Sequence, residues 1–179
     1  MKKIIALLAV SILCLTGCAL MNKTPADSVK KFLNNYKNND QVVVDELNDY
    51  LTTEELSDDE MKDYREIYLR QYSNMNYEIK NEKIDGDKAE VEVQITVYDY
   101  YKTNKESGDY LTANKADFVG DNGDIDLTKY LSYKISKLLD TTDTVDYTLT
   151  LTLNKVDDKW EIDPLTTEQL TKLHGTYEY

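Results

Sequence analysis

The single histidine of the chain, His174, is a candidate for acid–base catalysis. A catalytic histidine needs a nucleophile or a carboxylate beside it in a cleft. The surrounding sequence predicts instead that His174 ends a helix, where an imidazole can hydrogen-bond the last carbonyl groups and interacts favourably with the helix dipole. The chain also lacks the sequence motifs of serine hydrolases, zinc proteases and P-loop phosphate sites. We therefore expect a structural role for His174 and assign no catalytic residue.

One acidic segment, residues 121–126, has a composition that suits a metal ion. It contains Asp121, Asp124 and Asp126 with Gly123 among them. A calcium-binding EF-hand loop needs a different order of acidic residues and a glutamate at a fixed later position. A turn that leads into a helix, with an aspartate near its positive N-terminus, accounts for the same residues. We expect no metal and no cofactor.

The residues that precede Cys18 form the most specific chemical motif in the sequence. The chain opens with Lys2 and Lys3, and a mostly apolar run over residues 4–15 follows. That run is shorter than the ~20 residues of a transmembrane helix and fits the hydrophobic region of a signal peptide. The next residues, Leu15-Thr16-Gly17-Cys18, resemble the bacterial lipobox, in which the cysteine accepts a diacylglyceryl group. A secretory signal with a chance cysteine is the alternative.

The lipobox divides the chain into three parts. We predict a lipoprotein signal peptide over residues 1–17, a lipid-anchored tether over 18–23 and one domain over 24–179. The mature protein is then anchored to the membrane through acyl chains (palmitate among them) on Cys18, and it faces the extracytoplasmic side. Because Cys14 leaves with the signal peptide, we expect no disulfide and no cysteine metal site in the domain.

The charge of the chain limits its partners. Lys and Arg number 21 against 34 Asp and Glu, for a formal net charge of −13. Such a surface repels phosphate, so we expect neither nucleic acid nor anionic headgroups as direct partners. Hydrophobic residues at 41% and charged residues at 31% are typical of a globular protein.

Helix signals occupy the first part of the predicted domain. Thr24, Pro25 and Asp27 have the residue types preferred at the N-cap, N1 and N3 positions. Ser57 and Glu60 predict a capping box for a later helix. The apolar stripes behind these signals are Val29, Phe32, Leu33 and Tyr36, then Val43, Val44, Leu47 and Leu51, then Met61, Tyr64, Tyr68 and Tyr72.

The pattern then changes to the two-residue period of β-strands, which predicts two hairpins. Their turns are Asp85-Gly86 and Asp157-Asp158. Between the hairpins, a polar segment over 102–126 precedes a helix that contains Leu127, and a last helix ends at Gly175. The inward-facing strand residues are Ala89, Val91, Val93, Ile95 and Val97, then Val145, Tyr147, Leu149, Leu151 and Leu153.

This order of elements predicts an α+β domain in which helices cover one face of an antiparallel sheet. The start Thr24–Phe32, the long alternating strands and the closing Asp158–Ile162 resemble small bacterial lipoproteins with the NTF2-like (cystatin-like) fold. The resemblance implies N-terminal helices packed into the concave face of a curved antiparallel sheet. Residues 102–139 look like a helical insertion between the two long hairpins, and the order of strands there stays open.

Tyrosine is the unusual residue of the composition, with Tyr 15 against Phe 2 and Trp 1. Tyr98, Tyr100 and Tyr101 follow one another at the end of the longest strand. Tyrosines give a large contact area with a polar tip, which suits binding surfaces. We predict a binding rim where these three residues meet the polar 102–126 segment. Use of tyrosine in place of phenylalanine in the core is the alternative.

Two classes of function stay open at this point. The first is a non-enzymatic binding or accessory module for an unknown protein or small-molecule ligand. The second, which the NTF2-like resemblance implies, is a small-molecule enzyme of the isomerase or dehydratase type with an acid–base residue in its cavity. The inward strand positions are aliphatic apart from Tyr147, which favours binding. An Asp or Glu deep in an enclosed pocket would favour an enzyme.

Overall fold

A computed structural model describes residues 24–53 and 56–179. The predicted signal peptide, the tether and the lipidation site Cys18 lie outside these residues. The elements in chain order are α1 (Pro25–Lys37), α2 (Gln41–Thr53), α3 (Asp58–Asn74), β1 (Asn76–Asp85), β2 (Lys88–Tyr98), α4 (Tyr100–Ala113), a 3₁₀ turn (Lys115–Phe118), α5 (Leu127–Asp140), β3 (Thr144–Val156), β4 (Lys159–Ile162) and α6 (Thr167–Leu173). No helix in this part of the chain is long and apolar enough to span a membrane.

The first three helices begin where the sequence predicts them to begin. The Thr24 hydroxyl accepts a hydrogen bond from the Asp27 amide at 3.1 Å and caps α1. Ser57 and Glu60 form the reciprocal capping box of α3. Between α1 and α2 the chain turns at Asn39, whose φ of 50° is one that asparagine tolerates better than most residues.

The four strands form one antiparallel sheet in the order β1-β2-β3-β4. Gly86, with a φ of 61°, makes the turn between β1 and β2. Asp157 and Asp158 both have positive φ in the two-residue turn between β3 and β4, as tight hairpins require. The two predicted hairpins are therefore confirmed. Among the described residues the sheet is open, because β1 and β4 each pair with a strand on one side only.

The core lies between one face of this sheet and the helices. Every second residue is buried from Ala89 to Val97 in β2 and from Tyr147 to Leu153 in β3, and the residues between them are exposed or half-buried. Phe32 and Leu33 of α1 belong to the same buried cluster as Val93, Ile95 and Leu151 of the sheet, as the sequence predicts. The helices thus cover one face, and the α+β class is confirmed.

The segment between the hairpins contains a helix, α4, that the sequence does not reveal. The first part of the polar stretch, from Lys102 to Ala113, belongs to helix α4. Asp99 caps this helix by accepting from the Lys102 amide at 2.9 Å. Only Tyr100 and Ser107 of α4 are buried, so the helix has no apolar stripe that a periodicity search would detect. The inserted segment is therefore helical at both of its ends, with α4 before and α5 after the 3₁₀ turn.

Helix α6 covers the part of β3 that β4 leaves unpaired. Strand β4 pairs with Leu153–Val156 only. Along the rest of the edge, the Gln169 side chain donates to the Thr150 carbonyl at 2.6 Å and the Lys172 amine donates to the Thr148 carbonyl at 3.3 Å. These bonds satisfy strand carbonyls that would otherwise be open to pairing with another chain.

Candidate functional site

A cavity of about 380 Å³ lies among the helices, and its lining residues come from helices and loops. All six helices contribute to the lining, from Tyr36 of α1 to Thr171 of α6. Its walls are mostly apolar with a few polar groups that converge on the interior, which is the usual character of a small-molecule site. Tyrosines dominate the lining: Tyr36, Tyr50, Tyr64, Tyr68, Tyr72 and Tyr100.

The tyrosine rings at the α1–α3 end of the cavity contact one another. Tyr36 and Tyr72 meet edge to face with their ring centroids 5.0 Å apart. Tyr68 stacks beside Tyr72 at 6.4 Å and meets Tyr50 edge to face at 6.5 Å. Such pairs are favourable beyond the area that they bury, so this wall of the cavity is well packed.

His174 lines the same part of the cavity. Its backbone amide donates to the Leu170 carbonyl at 2.9 Å, so it ends α6 as the sequence predicts. The environment of its side chain is not apparent from the sequence: Nε2 lies 3.1 Å from the Tyr72 hydroxyl oxygen, and the ring packs against Tyr68 with centroids 4.9 Å apart. His174 is half-buried, and the burial of its ring lowers its pKa to about 4. The imidazole is therefore neutral at pH 7.

Two oppositely charged side chains, Glu46 of α2 and Lys134 of α5, line the cavity from different helices. Burial, and secondarily the charge of Asp49, raise the pKa of Glu46. Burial lowers the pKa of Lys134. Within residues 24–53 and 56–179, neither side chain forms a hydrogen bond or an ion pair. Helix α3 packs against both α2 and α5, and the two charged side chains reach the cavity from different helices.

The two charges mark two different ends of the cavity. The charge of Glu46 contributes to the raised pKa values of Tyr36 and Tyr72, so the carboxylate lies within electrostatic range of those two rings. Lys134 lines the cavity together with Tyr100 and Leu138, two members of a second, smaller buried cluster between α3, α4 and α5. The cavity therefore connects the main core cluster to the second one.

A sequence signal for these two charged residues does exist. Glu46 lies in the apolar stripe of α2, three residues after Val43. Lys134 lies in the stripe of α5, three residues after Leu131 and four before Leu138. A charged residue at a position that the helical period assigns to the core indicates a buried polar site.

Hydrogen bonds join three segments at the cavity wall: helix α3, the start of α4 and the end of α6. The Gln71 side chain of α3 is fully buried; its Nε2 donates to the Tyr98 carbonyl at 3.1 Å and its Oε1 accepts from the Tyr98 amide at 2.9 Å. The Tyr101 amide in turn donates to the Gly175 carbonyl at 2.7 Å. These bonds fix the start of α4 and the residue after His174 against α3.

The residues of the predicted rim do not form one exposed surface. Tyr100 is 1% exposed; its hydroxyl donates to a backbone carbonyl of α3 at 3.2 Å, and its ring lines the cavity. Tyr98 is half-buried under the Arg70 guanidinium, 4.0 Å from its ring centroid. Tyr101 is half-buried beside Tyr179 of the C-terminal tail, with ring centroids 5.3 Å apart. A binding role for the three tyrosines stays a prediction.

The acidic segment is accounted for by helix capping. Asp126 accepts from the amides of Thr128 and Lys129 at 3.0 and 3.1 Å, and so begins α5. In the described ranges, no group of three or more His, Cys, Asp and Glu side chains could hold a metal ion. The segment therefore has a structural explanation in the N-terminus of α5.

A second, wider depression of about 520 Å³ lies along the outer side of α2 and α3. Its lining includes Asn48, Lys62, Arg65 and Glu66, and it is more open to solvent than the tyrosine-lined cavity. A more enclosed site buries more of a small ligand's surface than an open groove does. The tyrosine-lined cavity is therefore the candidate site.

No protein-family model and no curated protein matches the chain. Among solved structures, it is similar to a crystal structure of ycdA from Bacillus subtilis subsp. subtilis str. 168, which is described as a candidate lipoprotein. The two chains are 15% identical, and the TM-score is 0.44 over 83% of this chain and 46% of that one. This chain therefore spans less than half the length of that protein. A likeness at this level establishes neither a fold family nor a function.

Proposed function

We propose that this chain is a membrane-anchored extracytoplasmic lipoprotein whose domain binds a small ligand without chemical turnover. The observation that carries the proposal is the cavity of about 380 Å³, which is lined by tyrosine rings and by His174. Its volume suits a small organic molecule, and its hydroxyl, carboxylate and amine groups can orient one. The helices on one face of an antiparallel sheet are also in keeping with an NTF2-like domain, which is part of this proposal.

Binding in the cavity can be tested with an uncharged aromatic probe. The full-length protein, purified from membranes and exchanged into lipid nanodiscs, is titrated with 4-fluorobenzyl alcohol and observed by ¹⁹F NMR. We expect saturable binding. The Thr171→Trp variant places a large ring at the cavity wall and should abolish binding, whereas Thr167→Trp, on the exposed side of the same helix, should not. Non-saturable binding, or equal binding by both variants, would contradict the cavity as a ligand site.

The proposed lipid anchor is inferred from the lipobox, and the test of lipidation does not depend on the cavity. Replacement of the lipid acceptor, Cys18→Ala, should leave the protein unprocessed or released from membranes. The matched control Cys14→Ala changes a cysteine that is removed with the signal peptide, so anchoring should be unaffected. Detergent-phase partitioning measures both variants. A processed Cys18→Ala protein that partitions like the wild type would contradict lipidation.

A small-molecule enzyme of the isomerase or dehydratase type is the second candidate. One observation favours it: a neutral imidazole, His174, and a carboxylate with a raised pKa, Glu46, line the same cavity. Groups of this kind can act as general base and general acid. The test is incubation of the protein with a metabolite extract, followed by NMR. An enzyme should deplete a component that the Glu46→Gln and His174→Gln variants leave unchanged, whereas a binding protein should deplete none.

A further inference from the structure

Glu46 and Lys134 are the two charged side chains of the cavity that could pair with a ligand of opposite charge. Both are half-buried, and neither forms an ion pair in the described part of the chain. Charges removed from water are normally paired, because isolated charges lose their hydration. They come from different helices, α2 and α5, and no ion pair joins them in the described residues.

We propose that the cavity binds a small zwitterion, with its cationic group at the Glu46 end and its anionic group at the Lys134 end. This inference rests on the proposed function and names the class of ligand for the same site. A ligand that carries only one charge would satisfy one end and place a like charge near the other. A zwitterion pairs both side chains at once.

The Glu46 end has the chemistry that recognises an organic ammonium group. The carboxylate lines the cavity together with Tyr36 and Tyr72 and contributes to the raised pKa of both, and Tyr68 continues the aromatic wall. A cation over the face of an aromatic ring is attracted by the ring quadrupole, and desolvation strengthens that attraction. His174, whose ring packs against this wall, is neutral because its site is buried, so it does not repel a cation.

The Lys134 end differs, because its charge is positive and its neighbours include aliphatic and amide groups. Lys134, Asn104 and Leu138 line the cavity there. An ammonium group is a donor and suits a carboxylate or another small anion. The formal charge of the whole chain is −13, which disfavours the approach of a free anion. A zwitterion has no net charge and does not meet that barrier.

The experiment uses the full-length protein in nanodiscs and a series of ω-amino acids from 4-aminobutanoate to 8-aminooctanoate. Their charge separation increases along the series, so the best member measures the distance between the two charged ends. Hexylammonium and hexanoate are the single-charge controls for 6-aminohexanoate. We expect at least one amino acid to bind tenfold more tightly, by calorimetry, than the amine and the carboxylate of matched length.

Variants that remove one charge at a time show which side chain binds the ammonium group of the ligand and which binds its carboxylate. Glu46→Gln should remove the advantage of the amino acid over the carboxylate control, and Lys134→Met its advantage over the amine control. Asp45→Asn and Lys137→Met change the same charges at exposed positions of the same helices and should leave affinities within twofold. Equal binding of the amino acids and both single-charge controls would overturn the zwitterion, and so would equal effects of the cavity and exposed variants.

The uncharged fluorinated probe separates this inference from the proposed function. If 4-fluorobenzyl alcohol binds in the cavity and the ω-amino acids bind no better than their controls, the binding module stands and the zwitterion is wrong. If the probe does not bind and no ω-amino acid binds, the binding module itself is wrong.

Discussion

Gly175 faces the backbone carbonyl of Tyr98 so closely that a Cβ at position 175 would collide with it and with the Gln71 amide. The φ of Gly175 is +70°, in the left-handed region that glycine adopts at least cost. This contact joins the end of α6 to the end of β2, and it places His174 at the cavity. The glycine therefore does more than end a helix.

Gly175→Ala should destabilise the protein strongly. The new methyl group meets backbone and a buried amide that cannot move aside, and the left-handed φ adds strain of its own. We expect a loss of about 3 kcal/mol or more in the free energy of unfolding, measured with urea. Gly86→Ala is the matched control: its φ is +61° and nothing lies within 4 Å of the added Cβ, so only the ~1–2 kcal/mol backbone cost applies. Equal losses for both variants would contradict the close approach.

The two faces of the long strands predict different losses of stability for the variants Leu33→Ala and Thr150→Ala. Leu33 is fully buried against the inner face of the sheet, so Leu33→Ala should lower the free energy of unfolding by ~2–5 kcal/mol. Thr150 lies on the outer face of β3 and is exposed, so Thr150→Ala should change it by less than about 0.5 kcal/mol. Thermal unfolding of the two variants is the measurement. A similar fall in melting temperature for both would mean that the strand faces are reversed.

The fold is predictable from sequence wherever a local signal and the burial pattern agree. Thr24 and Ser57 begin helices, and Asp157 and Asp158 make a turn, because the hydrogen bonds and backbone angles involved are local. Helix α4 is not predictable by the same means. It is held by a side-chain cap at its first turn and by exposed ion pairs such as that of Lys105 with Asp109, neither of which produces an apolar period.

The candidate site is less predictable, because its residues come from six helices that only the tertiary structure brings together. The sequence correctly predicts that His174 ends α6, but the contact of its ring with Tyr72 joins residues 102 positions apart. The position of Tyr100 after a strand end predicts an exposed rim. The turn at Asp99 instead directs its side chain into the protein.

The stability of the protein should depend on pH through His174. Burial lowers its pKa to about 4 in the folded chain, against an ordinary value of about 6.5. Between these two values the unfolded chain binds a proton that the folded chain does not, so stability is full above pH 6.5 and falls as the pH decreases toward 4. Between pH 7.5 and 5 we expect a loss on the order of 2 kcal/mol from this residue, measured by urea unfolding.

The His174→Gln variant isolates the contribution of the imidazole to this pH dependence. Glu46 faces the same cavity and its pKa is raised, so its own contribution has the opposite sign and is present in both proteins. The difference in slope between wild type and variant therefore reports on His174. Because the chain has one histidine, its ring protons also give one set of NMR signals to titrate. A midpoint near 6.5 would contradict the buried environment.

Tyr100 and Tyr101 are adjacent in the chain but lie in different surroundings. Tyr100 is 1% exposed, and its hydroxyl lies within hydrogen-bond distance of the Ile67 carbonyl and of the Arg70 guanidinium, at 3.2 and 3.3 Å. Tyr100→Ala should therefore cost ~3–5 kcal/mol, as other truncations of buried aromatic side chains do. Tyr101→Ala removes a half-buried ring and should cost about 1 kcal/mol.

Tyr100→Phe separates the hydroxyl from the ring. It keeps the packing between α3 and α5 but leaves the Ile67 carbonyl without this donor, so we expect a loss of about 1 kcal/mol by urea unfolding. The three variants should thus rank Tyr100→Ala, then Tyr100→Phe and Tyr101→Ala together. If Tyr100→Ala keeps the wild-type stability, its side chain is not part of the core. Tyr100 would then belong to an exposed rim with Tyr98 and Tyr101, and the cavity would lose one of its walls.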